Sequence, residues 1–181
     1  DLNAVIMQMV WIVVRIAPIG VFCLIARTFS MEGVEAFMPL AKYFVCVVLA
    51  LTVHAIFTYS VLLKIVGGLS PIVFFRKMRA AQLFAFSTAS SNATIPVTLE
   101  SVQRRLGVDN SVASFTVPFG ATINMDGTAI MQGVATVFIA QVYGVDLSLG
   151  DFLAVIITAT LASIGTAGVP GVGLIMLAMV L

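Results

Sequence analysis

One acidic residue, Asp126, lies in the middle of a long apolar run, in the segment GATINMDGT at residues 120–128. Between Asn110 and Tyr143 it is the only charged residue. A single α-helix over this run would be about 51 Å long at 1.5 Å per residue. The hydrocarbon core of a bilayer is only about 30 Å thick. The run therefore predicts a helix that is broken near its middle.

The residues around Asp126 indicate how its charge is compensated. An ionised carboxylate at the centre of a bilayer costs at least about 2.5 kcal/mol, so a proton or a cation must offset it. Thr122, Asn124 and Thr128 supply neutral oxygens nearby, and Gly127 loosens the helix. Such an oxygen cluster, joined by carbonyls of an unwound turn, suits a small hard cation. The alternative is an ion pair with an Arg or Lys of a neighbouring helix.

Composition places the whole chain in a membrane. Of its 181 residues, 61% are hydrophobic and 9% are charged. A soluble domain has about 25% charged residues, and a disordered chain has low hydrophobicity. The net charge of +1 gives no basic excess for phosphate groups, so we expect no nucleic-acid partner. We expect a piece of a longer, multi-pass protein of the plasma or inner membrane, because the sequence begins without Met and ends in an apolar run.

The distribution of charges predicts the topology. Segment 80–99 contains no charged residue, and basic residues flank it on both sides. The positive-inside rule places both flanks in the cytoplasm, so the segment enters and leaves on one side, as a re-entrant hairpin. Acidic residues mark the opposite loops. The basic residues are Lys64, Arg76, Lys77, Arg79, Arg104 and Arg105, and the acidic ones are Glu32, Glu35, Asp146 and Asp151.

A polar segment inside this hairpin, STASSNATIPVT at residues 87–98, predicts its tip. Seven of its twelve residues carry a hydroxyl or an amide. Non-helical backbone survives at depth only where it is buried in protein or lines a wet cavity. Short hydroxyl side chains let backbone N–H groups approach an anion. The alternative is a Ser/Thr-rich helix whose hydroxyls bond to its own carbonyls.

A second tip is predicted at residues 162–173, ASIGTAGVPGVG. Four glycines and Pro170 fall between Gly165 and Gly173, in an uncharged stretch. This composition breaks a helix, and glycine hinges would let the tip move as a gate. Close packing of small residues is the alternative. Two interrupted hairpins on either side of a broken helix are typical of transporters built from inverted repeats.

These segments resemble the dicarboxylate/amino acid:cation symporter family, which includes the glutamate transporters. Residues 124–128, NMDGT, are similar to the signature of the family's seventh transmembrane helix. Residues 90–96 and 163–171 resemble the tips of its two hairpins. The resemblance implies an all-α, multi-span transporter core of inverted-repeat, elevator type, with two re-entrant hairpins and a broken helix. It also implies a homotrimer in the lipid bilayer.

The domain organisation is likewise implied by the resemblance. Residues 1–30 would be a scaffold and trimerisation helix, and residues 36–181 an incomplete transport domain. The family's first four helices and its last helix would lie outside this sequence. The departures are Asn92, where many relatives have serine, and Ala89, where some have arginine.

The resemblance also implies two sets of site residues, with no organic cofactor. The first set would bind a small carboxylate substrate. Its members are Ser90, Ser91, Asn92, Thr128, Gly168, Val169 and Gly171. The second set would bind Na⁺. Gly120, Asn124 and Asp126 would serve two sodium sites, and a further site that forms when the second hairpin shuts would use Thr122, Met125, Ser163, Ile164 and Thr166.

We therefore predict a symporter, not an enzyme, that couples inward Na⁺ or H⁺ movement to uptake of glutamate, aspartate or a dicarboxylate. A proton-coupled C4-dicarboxylate symporter, with His54 as a relay, is one alternative. An ion or anion channel with re-entrant selectivity loops is another. An intramembrane protease lacks a second deep Asp and the Gly-x-Ser-x-Gly or His-Glu-x-x-His motif. An inert scaffold leaves the polar segments unexplained.

Overall fold

The computed structural model describes the backbone of residues 2–33, 35 and 37–181. In the first helix it describes the side chains of residues 8, 9, 12, 15, 16 and 18–31, so the predicted acidic position Glu32 lies outside the described side chains. All regular secondary structure in these ranges is helical. The chain divides into two compact units, residues 1–44 and 45–181. The predicted boundary between residues 30 and 36 stays a prediction.

The first unit contains a long helix and the start of a second one. Helix α1 spans Leu2–Glu32 and contains Pro18. Gly33 ends it at φ 73° and donates its N–H to the carbonyl of Phe29 at 3.0 Å. Large apolar side chains of α1 are exposed, among them Phe22 at 71%. Exposed apolar surface on this scale is typical of a face that meets lipid or protein.

A continuous apolar helix follows, in three parts. Helix α2 spans Phe37–Val53, a π-helical turn spans His54–Thr58, and helix α3 spans Tyr59–Ile65. Together they make 29 residues, in which an 18-residue window reaches a mean hydropathy of 2.2. Within the described residues this is the one helix that is long and apolar enough to cross a membrane, judged by length and composition.

The first predicted hairpin consists of two helices that pack against each other. Helix α4 spans Pro71–Lys77, α5 spans Arg79–Thr88 and α6 spans Ser91–Ser101, which continues into a π-helical turn at Val102–Leu106. Helices α5 and α6 are joined by only two residues. Ala89 adopts the left-handed conformation at φ 48°. Ser90 begins α6 as its N-cap, and its Oγ accepts the N–H of Ala93 at 3.2 Å.

The polar segment 87–98 is therefore mostly helical, and the turn is shorter than the segment. The hydroxyls of Ser87 and Thr88 donate to carbonyls one turn earlier, at 2.8 and 2.9 Å, as the alternative of a back-bonded helix proposed. Pro96 lies inside α6, where it has no N–H to offer the carbonyl of Asn92. Helical backbone continues through it because a proline bends a helix without always ending it.

The long apolar run is interrupted as the sequence predicts. Helix α7 spans Asn110–Ile123 and helix α8 spans Asp126–Val142, so the break falls at Asn124 and Met125. Neither residue of the break has α-helical torsion angles. The chain therefore departs from helical geometry at the start of the signature segment 124–128.

The second predicted hairpin follows α8. Helix α9 spans Leu149–Ile164, the non-helical stretch 165–171 comes next, and helix α10 spans Val172–Leu177. Helix α9 packs on α8, and α10 packs on both. A small apolar core lies at this junction and consists of Val155, Ala159, Ala162 and Val180. The glycine-rich stretch predicted to break the helix does so.

Candidate functional site

The tips of the two hairpins meet at one carbonyl group. The backbone oxygen of Gly168 accepts the hydroxyl of Ser90 at 2.8 Å and the N–H of Asn92 at 3.0 Å. Ser90 and Gly168 are both buried. A Cβ atom on residue 168 would lie 2.7 Å from Oδ1 of Asn92 and 3.1 Å from Cβ of Ser91. A side chain at residue 168 would therefore require Asn92 and Ser91 to shift.

A cavity of about 270 Å³ adjoins this contact. It lies between the two tips and the part of α8 that follows the break. Among the described residues, its lining is neutral and mixes hydroxyls, backbone groups and apolar side chains. The lining residues are Ala89, Ser91, Met125, Thr128, Met131, Thr166, Ala167, Gly168, Val169, Gly171, Gly173 and Leu174.

Most of the predicted substrate residues are gathered here. Five of the seven line the cavity: Ser91, Thr128, Gly168, Val169 and Gly171. The other two, Ser90 and Asn92, make the contact between the tips. Ser91 is the first residue of α6, so the positive end of that helix dipole lies at the cavity. Backbone N–H groups at such an end are suited to an anionic group.

The carboxylate of Asp126 has its own partners outside the cavity lining. Its Oδ2 lies 2.6 Å from Nε2 of His54 and also accepts the hydroxyl of Tyr59. Its Oδ1 accepts the N–H of Gly127 at 3.1 Å. The rings of His54 and Tyr59 meet edge to face, with centroids 4.9 Å apart. A cation that binds this carboxylate directly must share it with three hydrogen-bond donors.

The predicted sodium residues fall into three places. Met125 and Thr166 line the cavity beside the tips. Gly120 lines a second cavity, of about 300 Å³, between α5, α6 and α7. The rest line neither cavity. They are Thr122, whose hydroxyl donates to the carbonyl of Pro118, the exposed Asn124 and Ile164, the buried Ser163, whose hydroxyl donates to the carbonyl of Thr160, and Asp126.

Groups of three or more His, Cys, Asp or Glu placed to hold a metal do not occur in the described part of the chain. A sodium site here would therefore be built from neutral oxygens with Asp126 as its one acid. Hydroxyls that donate to their own helix keep lone pairs available, as Thr166 does when it donates to the carbonyl of Ala162 at 2.8 Å.

Two polar residues of this region escaped the sequence analysis. Tyr59 contacts Asp126 although it lies five positions from His54, a spacing that does not share a face in an α-helix. Gln132 is fully buried, and its Nε2 donates to the carbonyl of Gly173 at 3.0 Å, while its Oε1 has no partner among the described residues. The sequence did offer one indication of Gln132, because its side-chain amide lies inside the apolar run that forms α8.

Comparison with known proteins shows which family the chain is related to. A model of the sodium:dicarboxylate symporter family matches residues 1–181. An excitatory amino acid transporter of Caenorhabditis elegans is 42% identical over 182 residues, which cover 99% of this chain and 36% of that protein. Excitatory amino acid transporter 1 of Rattus norvegicus is 41% identical over 183 residues, which cover 100% of this chain and 34% of the relative.

A third relative is excitatory amino acid transporter 3 of Mus musculus, 43% identical over 176 residues, which cover 97% of this chain and 34% of that protein. The chain thus spans 34–36% of the length of these relatives. The names of all three describe transporters and not enzymes. The resemblance on the three polar segments is therefore confirmed: the chain belongs to the sodium:dicarboxylate symporter family, a family of membrane transporters.

Proposed function

We propose that this chain forms the substrate-binding and ion-binding core of a secondary active symporter for an acidic amino acid or a dicarboxylate, such as glutamate or aspartate. Inward movement of Na⁺ supplies the driving force. The observation that carries the proposal is the closed contact of the two tips on the Gly168 carbonyl, beside a cavity that also adjoins a helix break. Discontinuous helices around a cavity are where transporters bind substrate and ion.

The cavity supports a carboxylate substrate. Ser91 brings the N-terminal end of α6 to it, and Thr128 and Thr166 bring hydroxyls from two other elements. One substrate carboxylate would bind at the end of α6, with Ser90, Ser91 and Asn92 around it. Val169 and Gly171 would cover the substrate from the second tip. Neutral donors at a helix end orient a carboxylate without an arginine at position 89, where this chain has alanine.

The helix break supports ion binding. Non-helical backbone at Asn124 and Met125 interrupts the helix, and backbone oxygens at such a break are ligands that a hard cation prefers. Gly120, Asn124 and Asp126 would serve two sodium sites. Thr122, Met125, Ser163, Ile164 and Thr166 would serve a further site that is complete only when the second hairpin is closed. Its support is that Met125 and Thr166 line one cavity although they belong to different hairpin and helix elements.

Transport would follow an elevator mechanism in a multi-pass plasma or inner membrane protein. Sodium would order the break, substrate would let the second tip close on the first, and the closed core, residues 36–181, would then move across the bilayer. The two hairpins would be re-entrant, and residues 1–30 would belong to the scaffold of a homotrimer. The exposed apolar surface of α1 and of the helix Phe37–Ile65 supports contact with lipid and with such partners.

The test is uptake of radiolabelled aspartate into proteoliposomes that contain the full-length protein. An inward sodium gradient is compared with a proton gradient of the same size, and unlabelled glutamate or succinate competes for uptake. Uptake driven by sodium supports the proposal, and Asp126→Asn is expected to abolish it. Flux that needs neither gradient and persists as large unitary currents would contradict symport and favour a channel.

Proton coupling is a second candidate, and one contact favours it. Nε2 of His54 lies 2.6 Å from Asp126, so an imidazole and a carboxylate could share a proton beside the break. Such a protein would be a proton-coupled C4-dicarboxylate symporter. Uptake driven by the proton gradient in the absence of sodium, and lost in His54→Gln, would select it over sodium symport.

A further inference from the structure

We propose that the π-helical turn His54–Thr58 is a positioning device. It brings His54 and Tyr59 onto a single oxygen of Asp126 and thereby holds the start of α8 beside the helix break. The three residues, named here the Asp126 clamp, would act by placing the break and not by contacting the substrate. The transport part of this inference rests on the proposed function, whereas its structural part does not.

The first step is helical geometry. Residues five positions apart in an α-helix are separated by about 140° around the axis, so their side chains point away from each other. The N–H of Tyr59 instead bonds to the carbonyl of His54, which closes a turn between residues five apart. This turn brings both side chains to one side, and both reach Oδ2 of Asp126.

The second step is what the clamp holds. Asp126 is the first residue of α8 and directly follows the break. Gly127 next to it is close to α2, since a Cβ atom there would lie 3.7 Å from a methyl group of Leu51. The carbonyl of Met125 accepts the N–H groups of Thr128 and Ala129, at 3.0 and 3.1 Å. Fixing Asp126 therefore fixes Met125 and Thr128, which line the cavity between the tips.

The third step is that the two residues in the middle of the turn do not pack in the core. Ile56 and Phe57, in the middle of the π-helical turn, are 65% and 68% exposed. Removing either side chain costs no core packing. The length of this segment can therefore be altered to test alignment apart from packing, because a π-helical turn is equivalent to one extra residue within an α-helix.

The decisive experiment changes only the spacing between His54 and Tyr59 in the full-length protein. Deleting Phe57 leaves the two residues four apart in an α-helix, about 40° from each other, so they still share a face. Inserting alanine after Phe57 places them six apart, about 120° from each other. Phe57→Ala is the matched control, because it removes the same side chain and keeps the spacing.

Sodium-driven aspartate uptake is the first readout. The deletion and Phe57→Ala are expected to keep uptake within about threefold of wild type, whereas the insertion lowers it by more than about tenfold and raises the sodium concentration for half-maximal uptake. The clamp is refuted if the deletion and the insertion impair uptake equally, or if the insertion is tolerated. A conservative substitution tests whether the hydrogen bond to Asp126 matters. His54→Gln keeps a donor for Asp126 and is expected to retain more uptake than His54→Ala.

Thermal stability in detergent is the second readout, and it does not depend on transport. Loss of His54 and loss of Asp126 are expected to be non-additive, so that His54→Ala lowers the melting temperature of wild type but not that of Asp126→Ala, which has no acceptor for His54. Additive losses would show that the residues are not coupled and would overturn the inference. If wild type carries no substrate at all, the proposed function fails, while this cycle still decides on the clamp.

Discussion

The two hairpins reverse direction in different ways. The first turns within two residues, Ala89 and Ser90, and the Ser90 side chain caps the helix that follows. The second takes the seven residues 165–171, which separate α9 from α10. The first tip caps the helix that follows it, and both tips share the two hydrogen bonds to the Gly168 carbonyl. Under the proposed function, we expect the longer, glycine-rich second tip to be the part that opens and closes as a gate.

The largest effect is expected where the two tips touch. Gly168→Ala would place a methyl group 2.7 Å from Oδ1 of Asn92, so the tips could not close in the present arrangement. Overpacking of this kind costs about 1–3 kcal/mol, which corresponds to a loss of about 5-fold to 150-fold in uptake. The measurement is sodium-driven uptake at a fixed substrate concentration.

Two further variants control this prediction. Gly133→Ala is the matched glycine substitution, since a Cβ atom there meets nothing within 4 Å, and it is expected to transport normally. Asn92→Ala combined with Gly168→Ala removes the clashing amide and is expected to recover part of the lost uptake. If the double variant is as inactive as Gly168→Ala, the contact between tips is not the reason for the loss.

A smaller effect is expected from the cap of the first tip. Ser90→Ala removes a bond to the Gly168 carbonyl and a helix cap, each of which contributes about 1 kcal/mol. Of these two bonds only the one to Gly168 joins the tips, so the substrate concentration for half-maximal uptake should rise by about fivefold. Ser87→Ala is the control, because its exposed hydroxyl bonds only within α5. Equal effects of both substitutions would show that the tip contact contributes nothing to closure.

Gln132 offers a still smaller effect, because two terms oppose each other. Gln132→Met removes the donor to the Gly173 carbonyl in α10, which destabilises the second arm. It also removes the buried Oε1 that has no partner, which relieves a desolvation cost. The melting temperature should change less than in Ser90→Ala, with the exposed Gln141→Met as control. A large loss would show that the bond to Gly173 dominates.

The smallest effect is expected at the exposed N-cap of α7, which is not part of either tip. Asp109 caps α7, and the hydroxyl and N–H of Ser111 lower the pKa of its carboxyl. A carboxyl with a lowered folded pKa stabilises the fold above its ordinary pKa, and this contribution disappears as pH falls through the folded value. Asp109→Asn, which caps without titrating, should lose this part of the pH dependence of the melting temperature. An unchanged profile would contradict the cap's role.

Local patterns were sufficient to predict the interruptions of the helices. The apolar run around Asp126 was too long for one helix, and glycines with Pro170 could not continue one, so both breaks were expected. The polar segment 87–98 was interpreted as a wide tip, but α6 runs through Pro96 and the turn is confined to Ala89 and Ser90. Hydroxyls at either side bond back to the helix, as sequence alone left open.

Tertiary contacts were beyond the reach of local patterns. The carbonyl of Gly168 and the hydroxyl of Ser90 are 78 positions apart, and no periodicity indicates that they meet. Tyr59 was missed for a different reason, since an extra residue in a helical turn changes which side chains share a face. The cation assignment of Asp126 followed from charge and neighbours, and it stays a prediction beside the contacts with His54 and Tyr59.

The contact between the tips has a consequence for how such transporters diverge. Its acceptor is a main-chain oxygen, and one of its donors is the main-chain N–H of Asn92. Any residue except proline at position 92 supplies that N–H. An exchange of serine for asparagine at position 92 therefore leaves this contact in place. If the first tip binds the substrate as proposed, substrate preference can change at position 92 without loss of the contact between the tips, whereas a side chain at position 168 would crowd Asn92 and Ser91.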